Sequence, residues 1–234
     1  MSLVGSAAAL DGALDSIPVI NIGDTFTPER RAALAHEMLA VTGHGIPQEI
    51  IDNLLMVMEA YFSLPLETKM KLFHREFGSS CRGYAPPLNS NVDPANRGDL
   101  HEAFAAGLEE QLPKESDEKG ANVWPSEPTG FREAYLNYCH AAAGVGKLLF
   151  HLFALALDLP ETYFEDKSKN SATFMRTIHY PLQTSLISDD IVGVGAHSDA
   201  QCFTILWQQP GIQALQVLNL KKQWIDAMPI PVCV

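Results

Sequence analysis

A histidine and an aspartate separated by one residue, His197 and Asp199, constrain this chain more than any other feature. They follow a run of small residues, 193–196, and precede a β-rich apolar run, 203–208. On an extended chain, residues two apart project to the same face, so these side chains can converge on one cation. An imidazole nitrogen together with a carboxylate oxygen suits a divalent first-row metal. These two residue types at this spacing are therefore compatible with a metal site next to a β-rich segment.

The tripeptide by itself has two interpretations. Two histidines and one carboxylate with open positions form the facial triad of non-haem Fe(II) oxygenases, and His197 and Asp199 would be two of its three members. In a chain with eight histidines, a His-x-Asp tripeptide also occurs by chance, as a loop histidine near an N-capping aspartate. The surrounding sequence decides between these two interpretations.

Several sequence blocks occur in a fixed order along the chain. The blocks in the C-terminal part are 175–181 (MRTIHYP), 195–199 (GAHSD), 203–206 (FTIL), 215–219 (LQVLN) and 224–231 (WIDAMPIP). Further blocks in the N-terminal part are 41–47 (VTGHGIP), 82–84 (RGY), 99–104 (DLHEAF) and 122–125 (NVWP). Together they resemble the iron- and 2-oxoglutarate-dependent oxygenases of the isopenicillin N synthase-like superfamily, in its fungal and bacterial branch.

The resemblance implies an α+β fold with a mainly β core. In this family the core is a double-stranded β-helix, or jelly roll, with N-terminal helices packed on it. We expect a single domain over 1–234, in which 1–165 is a helical part with opening strands. Residues 166–234 would form the first part of the jelly-roll core, which we expect to be incomplete at its C-terminal end.

The resemblance also assigns a metal and a co-substrate. His197 and Asp199 would hold Fe(II), which 2-oxoglutarate chelates, and O2 would serve to hydroxylate, desaturate or close a ring in a small organic molecule. Tyr180 matches the position whose phenol can hydrogen-bond a carboxylate of 2-oxoglutarate. Arg176, on the same predicted strand, is a second candidate for this role, with an unconnected surface arginine as the alternative.

Three aromatic residues are candidate substrate contacts, because the family places their blocks at or near the site: Tyr84, Phe104 and Phe203. No catalytic residue is assigned beyond the two metal ligands. His44 is expected to lie in a turn before a helix rather than to bind metal. His179 precedes Tyr180 on a strand and therefore faces the opposite side, which argues against it as a substitute ligand.

The chain departs from the family pattern after Asp199. The family has a second ligand histidine and then an Arg-x-Ser pair that binds the far carboxylate of 2-oxoglutarate, but 200–234 contain no histidine and no arginine. We therefore expect a C-terminally truncated member with weak iron binding. The alternative is an inactive remnant that acts as a binding protein or has no independent function, with a partner covering the open sheet edge. A zinc hydrolase lacks support, because no His-Glu-x-x-His motif occurs.

Composition excludes several other classes of protein. The formal net charge is −12 (16 basic minus 28 acidic residues), which argues against nucleic acid or an anionic membrane as a partner. We expect no membrane span, since no run of eighteen apolar residues occurs. Residues 1–10 lack the basic segment of a signal peptide. The four cysteines show no paired spacing, so we expect reduced thiols in a cytoplasmic protein: Cys81, Cys139, Cys202 and Cys233.

The periodicity of apolar residues predicts the secondary structure. A short strand is expected at 17–22 and a helix from Thr27, carrying an apolar stripe formed by Leu34, Met38 and Val41. The family's Gly-Phe-Phe-type strand is missing before 41–47, which predicts a direct passage from that helix to Thr42. Further helices are expected at 48–62, 66–73 and 131–157.

Overall fold

The computed structural model describes residues 17, 19–23, 27, 40–77, 81–91, 98–111, 121–169, 173–182, 193–199 and 202–230. The chain divides into two compact units. The first consists of Met1–Gly45, Leu148–Phe164 and Ile205–Val234, and the second of Ile46–Lys147 and Glu165–Thr204. These units differ from the predicted parts 1–165 and 166–234, because each unit combines segments from both sides of that boundary.

In the first unit, strand β1 (Val19–Asn21) pairs in parallel with β2 (Ala40–Thr42). The pairing buries Ile20 against Val41, which are 4% and 6% exposed. The strand predicted at 17–22 is thus confirmed over its central residues. The expected direct passage from a helix to Thr42 is wrong, because Ala40–Thr42 form a strand in which Val41 pairs with β1. Residues 28–39 of the predicted helix lie outside the described residues.

The first unit also contains an antiparallel hairpin formed by β6 (Gln216–Leu218) and β7 (Trp224–Asp226). The turn between them is closed by Asn219, whose side-chain carbonyl oxygen accepts a hydrogen bond from the backbone N–H of Gln223 at 2.9 Å. The apolar run 203–208 was predicted to be β-rich, but it forms no strand within the described part of the chain. It has the composition of a strand, but it joins none of the sheets formed by the described residues.

Two helices open the second unit. Helix α1 (Gln48–Phe62) has the predicted bounds, and it buries one face: Ile51, Leu54, Val57, Met58, Tyr61 and Phe62. Helix α2 (Leu66–Met70) is shorter than the predicted 66–73 and is followed by a 3-10 turn at His74–Phe77. Just after α2, the Leu72 carbonyl accepts a hydrogen bond from the backbone N–H of Tyr84 at 2.7 Å. This bond ties the segment that was predicted to be helical to the neighbouring sheet.

The sheet of the second unit consists of three antiparallel strands in the order β3 (Gly83–Ala85), β4 (Glu102–Gly107) and β5 (Phe174–His179). All six residues of β4 are buried, as expected for a central strand covered on both faces. Phe104 on β4 is completely buried, and its ring contacts those of Phe131 and Tyr61 at centroid distances of 4.9 and 5.4 Å. This aromatic cluster is the core of the second unit.

The longest helix, α3 (Phe131–Ala156), ends one residue before its predicted end. Its length and composition would also suit a membrane span, since an 18-residue window has a mean hydropathy of 1.4. The core helix of a folded domain meets the same criterion, and Phe131 and Tyr135 are 1% and 0% exposed because they pack in the aromatic cluster. The fourth helix, α4 (Glu165–Ser168), is a single turn.

Candidate metal centre

His197 and Asp199 lie side by side. His197 Nε2 is 3.3 Å from Asp199 Oδ1, and the two side chains are 42% and 47% exposed. The segment 193–199 is not a strand, so the simple alternation of an extended chain does not place them. Nevertheless, the two side chains converge, as the sequence predicted.

The remaining polar atoms of both side chains have partners. His197 Nδ1 lies 2.9 Å from the carbonyl oxygen of Gly195, and because a carbonyl oxygen only accepts, Nδ1 carries the proton. In the neutral imidazole the lone pair is then on Nε2, on the side of Asp199. Asp199 Oδ2 accepts a hydrogen bond from the Thr204 hydroxyl, which leaves Oδ1 facing that lone pair.

Two acceptors that face each other repel unless a proton on Nε2 or a metal cation lies between them. Imidazole and carboxylate ligands bind divalent metals at about 2.1 Å, and at an octahedral angle two such ligand atoms are about 3 Å apart. The separation of 3.3 Å between His197 Nε2 and Asp199 Oδ1 fits this spacing. The fixed Nδ1–H and the hydroxyl-bound Oδ2 are the outer contacts that ligating histidines and carboxylates commonly have. The pair can therefore supply two ligands to a metal ion.

Two buried side chains that precede β4 bind the loop carrying this pair. Asp99 Oδ1 accepts a hydrogen bond from the backbone N–H of Gly195 at 3.1 Å, and His101 Nδ1 lies 3.0 Å from the carbonyl oxygen of Gly193. Asp99 and His101 are 0% and 3% exposed. The block 99–104 was predicted from the family resemblance to border the substrate mouth, and no role was predicted for Asp99 or His101. A pair of ionisable residues just before a strand that is buried throughout is the signal in the sequence.

Arg176 and Tyr180 adjoin His101. Arg176 Nη2 donates to His101 Nε2 at 2.9 Å, and the rings of His101 and Tyr180 are 5.8 Å apart. Burial lowers the pKa of His101, with the Arg176 charge acting in the same direction, which agrees with a neutral ring that donates from Nδ1 and accepts at Nε2. A Cβ on Gly193 would lie 3.1 Å from the Tyr180 ring, so this ring sits directly on the loop. Arg176 is thus an exposed residue whose guanidinium is connected to the loop through His101.

The aromatic candidates for substrate contact have different positions. Tyr84 and Phe104 are both 0% exposed, because they pack within the second unit, so neither presents a surface that a substrate could reach. This corrects the expectation that they border a substrate mouth. Phe203 is half-buried, and its role stays a prediction. His179 Nδ1 lies 2.9 Å from Glu102 and its ring stacks on Phe62, which accounts for its side chain without a metal.

Within the described residues, no group of three or more histidine, cysteine, aspartate or glutamate side chains could hold a metal ion. The geometry therefore supplies two ligands rather than a complete set. His44 lies in the turn between β2 and α1, as expected. The described cysteines, Cys81, Cys139 and Cys202, are reduced thiols, and Cys233 lies outside the described residues.

Comparison with known proteins gives matches along most of the chain. Residues 17–127 match the family model described as "non-haem dioxygenase in morphine synthesis N-terminal". The 2-oxoglutarate-dependent dioxygenase traH of Penicillium crustosum is 31% identical over 204 residues, covering 84% of this chain and 62% of the relative. The 2-oxoglutarate-Fe(II) type oxidoreductase hxnY of Emericella nidulans is 30% identical over 202 residues, covering 81% and 57%.

A solved structure shares the fold. A full-length Neurospora crassa protein, crystallised in complex with alpha-KG and thymine, matches with a TM-score of 0.77 at 22% identity, covering 93% of this chain and 72% of that one. This chain spans 62% of the length of traH and 57% of the length of hxnY. From the ordered motifs, the matching family model and these relatives, we conclude that the chain belongs to the family of 2-oxoglutarate- and Fe(II)-dependent oxygenases.

Proposed function

We propose that the chain carries part of the active site of a non-haem Fe(II)- and 2-oxoglutarate-dependent oxygenase, with His197 and Asp199 as two of the three metal ligands. The observation that carries this proposal is the 3.3 Å approach of His197 Nε2 to Asp199 Oδ1. The hydrogen bonds at His197 Nδ1 and Asp199 Oδ2 support it, because they direct the two free acceptor atoms to one point.

His197 and Asp199 would hold Fe(II), which together with 2-oxoglutarate would supply O2 activation for hydroxylation, desaturation or ring closure of the substrate. The protein contributes placement of the metal, orientation of the co-substrate and control of water. The imidazole of His197 and the carboxylate of Asp199 offer one neutral and one anionic ligand, which together partly neutralise a divalent cation. Thr204 keeps one carboxylate oxygen occupied, so that Asp199 presents a single oxygen to the metal.

We assign co-substrate binding to Tyr180 and Arg176. The 2-oxoglutarate dianion needs hydrogen-bond donors and positive charge, which the phenol and the guanidinium provide. The Arg176 charge acts to lower the pKa of Tyr180, although burial, the larger influence, raises it. The phenol is therefore protonated near neutral pH and can donate to a carboxylate.

The fold and the substrate class complete this proposal. We infer a jelly-roll core and a single domain, on the strength of the likeness to the Neurospora crassa structure. We infer a small organic substrate, because that structure holds thymine, and we propose a cytoplasmic location, in keeping with three reduced cysteines. Phe203, next to Thr204 in sequence, is the one proposed substrate contact that the structure leaves half-buried.

A second candidate function is a non-catalytic protein that binds a ligand or a partner. The observation that favours it is that the described residues bring only two candidate metal ligands together, His197 and Asp199. Loss of contacts that only orient a ligand already costs about 10–100-fold in metal affinity or activity. The two candidates therefore make opposite predictions for metal binding.

Anaerobic titration of the 234-residue chain with Fe(II), with and without 2-oxoglutarate, tests the proposal. We expect saturable binding that 2-oxoglutarate strengthens and a visible charge-transfer absorption from the chelate. His197→Ala and Asp199→Ala should each abolish both signals. His140→Ala is the matched control, because His140 is exposed and hydrogen-bonded to Glu110 on the surface. Equal binding by wild type and His197→Ala would favour the non-catalytic candidate.

A further inference from the structure

We propose that Asp99 and His101 are positioning residues for the metal site: they hold the peptide groups of Gly195 and Gly193, and through Gly195 they fix the orientation of the His197 imidazole. This inference rests on the proposed function, in which His197 is a metal ligand. Neither residue contacts the ligand directly. Their effect would pass through the backbone of the segment 193–197.

Asp99 and His197 are linked through one residue, Gly195, which forms a hydrogen bond with each of them. Asp99 Oδ1 accepts the N–H of Gly195 at 3.1 Å, and the carbonyl oxygen of Gly195 accepts from His197 Nδ1 at 2.9 Å. A displacement of Gly195 would therefore move the acceptor that selects the Nδ1–H tautomer. Loss of that tautomer would place a proton on Nε2, the atom proposed to bind the metal.

Asp99 is itself fixed in place. Its backbone N–H donates to the Ser90 carbonyl at 2.8 Å, and its own carbonyl accepts from the N–H of Leu88 at 3.0 Å. Its side chain is completely buried, so its carboxylate cannot turn toward solvent. A side chain held in this way transmits its position to the group that it binds.

His101 holds the other end of the same loop. Because Arg176 donates to Nε2 at 2.9 Å, His101 Nδ1 must carry the proton that binds the Gly193 carbonyl at 3.0 Å. A Cβ on Gly193 would meet the Tyr180 ring at 3.1 Å, so a side chain at this position would require the ring to shift. The loop is thus held at Gly193 and at Gly195, which are separated only by Val194.

A purely structural role would not explain the choice of an acid at position 99. The second carboxylate oxygen of Asp99 is buried and has no hydrogen-bond partner among the described residues. Burying such an oxygen without a partner costs free energy. A role in positioning the metal ligand accounts for an acid at this position, because its other oxygen accepts from Gly195.

The test measures the tautomer of His197 in the metal-free protein by nitrogen-15 NMR, and the affinity for Co²⁺ by titration. In Asp99→Ala we expect loss of the defined Nδ1–H tautomer and about tenfold weaker Co²⁺ binding, the lower end of the 10–100-fold range for groups that orient a ligand. Asp99→Asn should keep most of the affinity, because its carbonyl oxygen can still accept from Gly195. His101→Leu should weaken binding, whereas His101→Asn, which retains a donor near the Nδ1 position, should restore it.

Thr177→Val is the control, because it removes a hydrogen bond to the Phe104 carbonyl in the same sheet without touching the loop. If Asp99→Ala does not fold, the two His101 variants decide the test. An unchanged His197 tautomer and unchanged affinity in Asp99→Ala and His101→Leu would overturn the inference, as would an equal loss in Asp99→Asn and Asp99→Ala. If His197→Ala binds Co²⁺ like wild type, the proposed function fails, and the tautomer in the metal-free protein still decides the positioning role.

Discussion

The ammonium group of Lys69 lies 2.7 Å from a carboxylate oxygen of Glu102, and each side chain is only 7% exposed. Lys69 also donates to the Phe62 carbonyl at 2.7 Å. Glu102 further accepts from the Tyr84 hydroxyl at 2.5 Å and lies 2.9 Å from His179 Nδ1. This buried network ties α1 and α2 to the central strand of the second unit.

Removing one partner of this pair should be strongly destabilising. In Lys69→Met the Glu102 carboxylate stays buried without its cation, and we expect a loss of about 3–5 kcal/mol in the free energy of unfolding. Chemical denaturation monitored by circular dichroism measures this loss. Arg132→Met is the matched control, because its ion pair with Glu109 is exposed and should contribute little. Equal effects of the two substitutions would contradict the assigned role of burial.

The same carboxylate should make stability depend on pH. Burial alone would raise the pKa of Glu102, but hydrogen bonds from Lys69, Tyr84 and His179 outweigh it, and the net pKa is lowered. The folded state therefore binds the proton more weakly than the unfolded state, in which the pKa of a glutamate is about 4.3. The stabilisation is complete above that value and is lost as the pH falls through the lower pKa of the folded state.

Denaturation of wild type and Glu102→Gln over a series of acidic pH values tests this dependence. Wild type should lose more stability than the variant as the pH falls below about 4. The difference between the two proteins should be constant near neutral pH, where Glu102 is ionised in both states. Parallel curves throughout the acidic range would show that Glu102 does not titrate differently on folding.

Two buried tyrosines should respond differently to loss of the hydroxyl. The Tyr135 hydroxyl accepts from the Ala106 N–H at 3.0 Å and donates to the Met175 carbonyl at 2.6 Å. Tyr135→Phe leaves both groups unpaired, with an expected loss of about 1–3 kcal/mol in the free energy of unfolding. The Tyr61 hydroxyl has no partner within the described residues, so Tyr61→Phe should cost nothing. Thermal and chemical unfolding of both variants decides whether the pattern holds.

Thr204 should affect metal binding without being a ligand. Its hydroxyl donates to Asp199 Oδ2, and Thr204→Val removes this donor while keeping the shape of the side chain. We expect Fe(II) or Co²⁺ to bind about 10–100-fold more weakly, with little change in stability, because Thr204 is exposed. Metal titration measures the effect, and Thr204→Ser, which keeps the hydroxyl, should bind like wild type.

Local sequence patterns predicted the elements that depend on neighbouring residues. The bounds of α1 agree with its apolar periodicity, and α3 ends one residue early. The convergence of His197 and Asp199 was also predicted from their spacing, although the segment is not a strand. These features depend on residues close in sequence, whose relative positions the backbone geometry largely determines.

Features that depend on distant residues were misjudged. Val41 was placed in a helix, but its pairing with β1 is a contact between segments about twenty residues apart. Tyr84 and Phe104 were placed at a substrate mouth, but the sheet turns both into the core. Periodicity cannot decide such cases, because burial at these positions depends on which strand or helix covers each face.

The sequence by itself determined the family, the long helices and the two candidate ligand residues, since ordered motifs and periodic apolar positions are properties of the chain. Only the tertiary structure decided what surrounds those ligands. It brings Asp99 to Gly195 across 96 positions and His101 to Gly193 across 92. In each of these hydrogen bonds one partner is a backbone group, which every residue carries, so the sequence does not mark which glycine the buried side chain will meet.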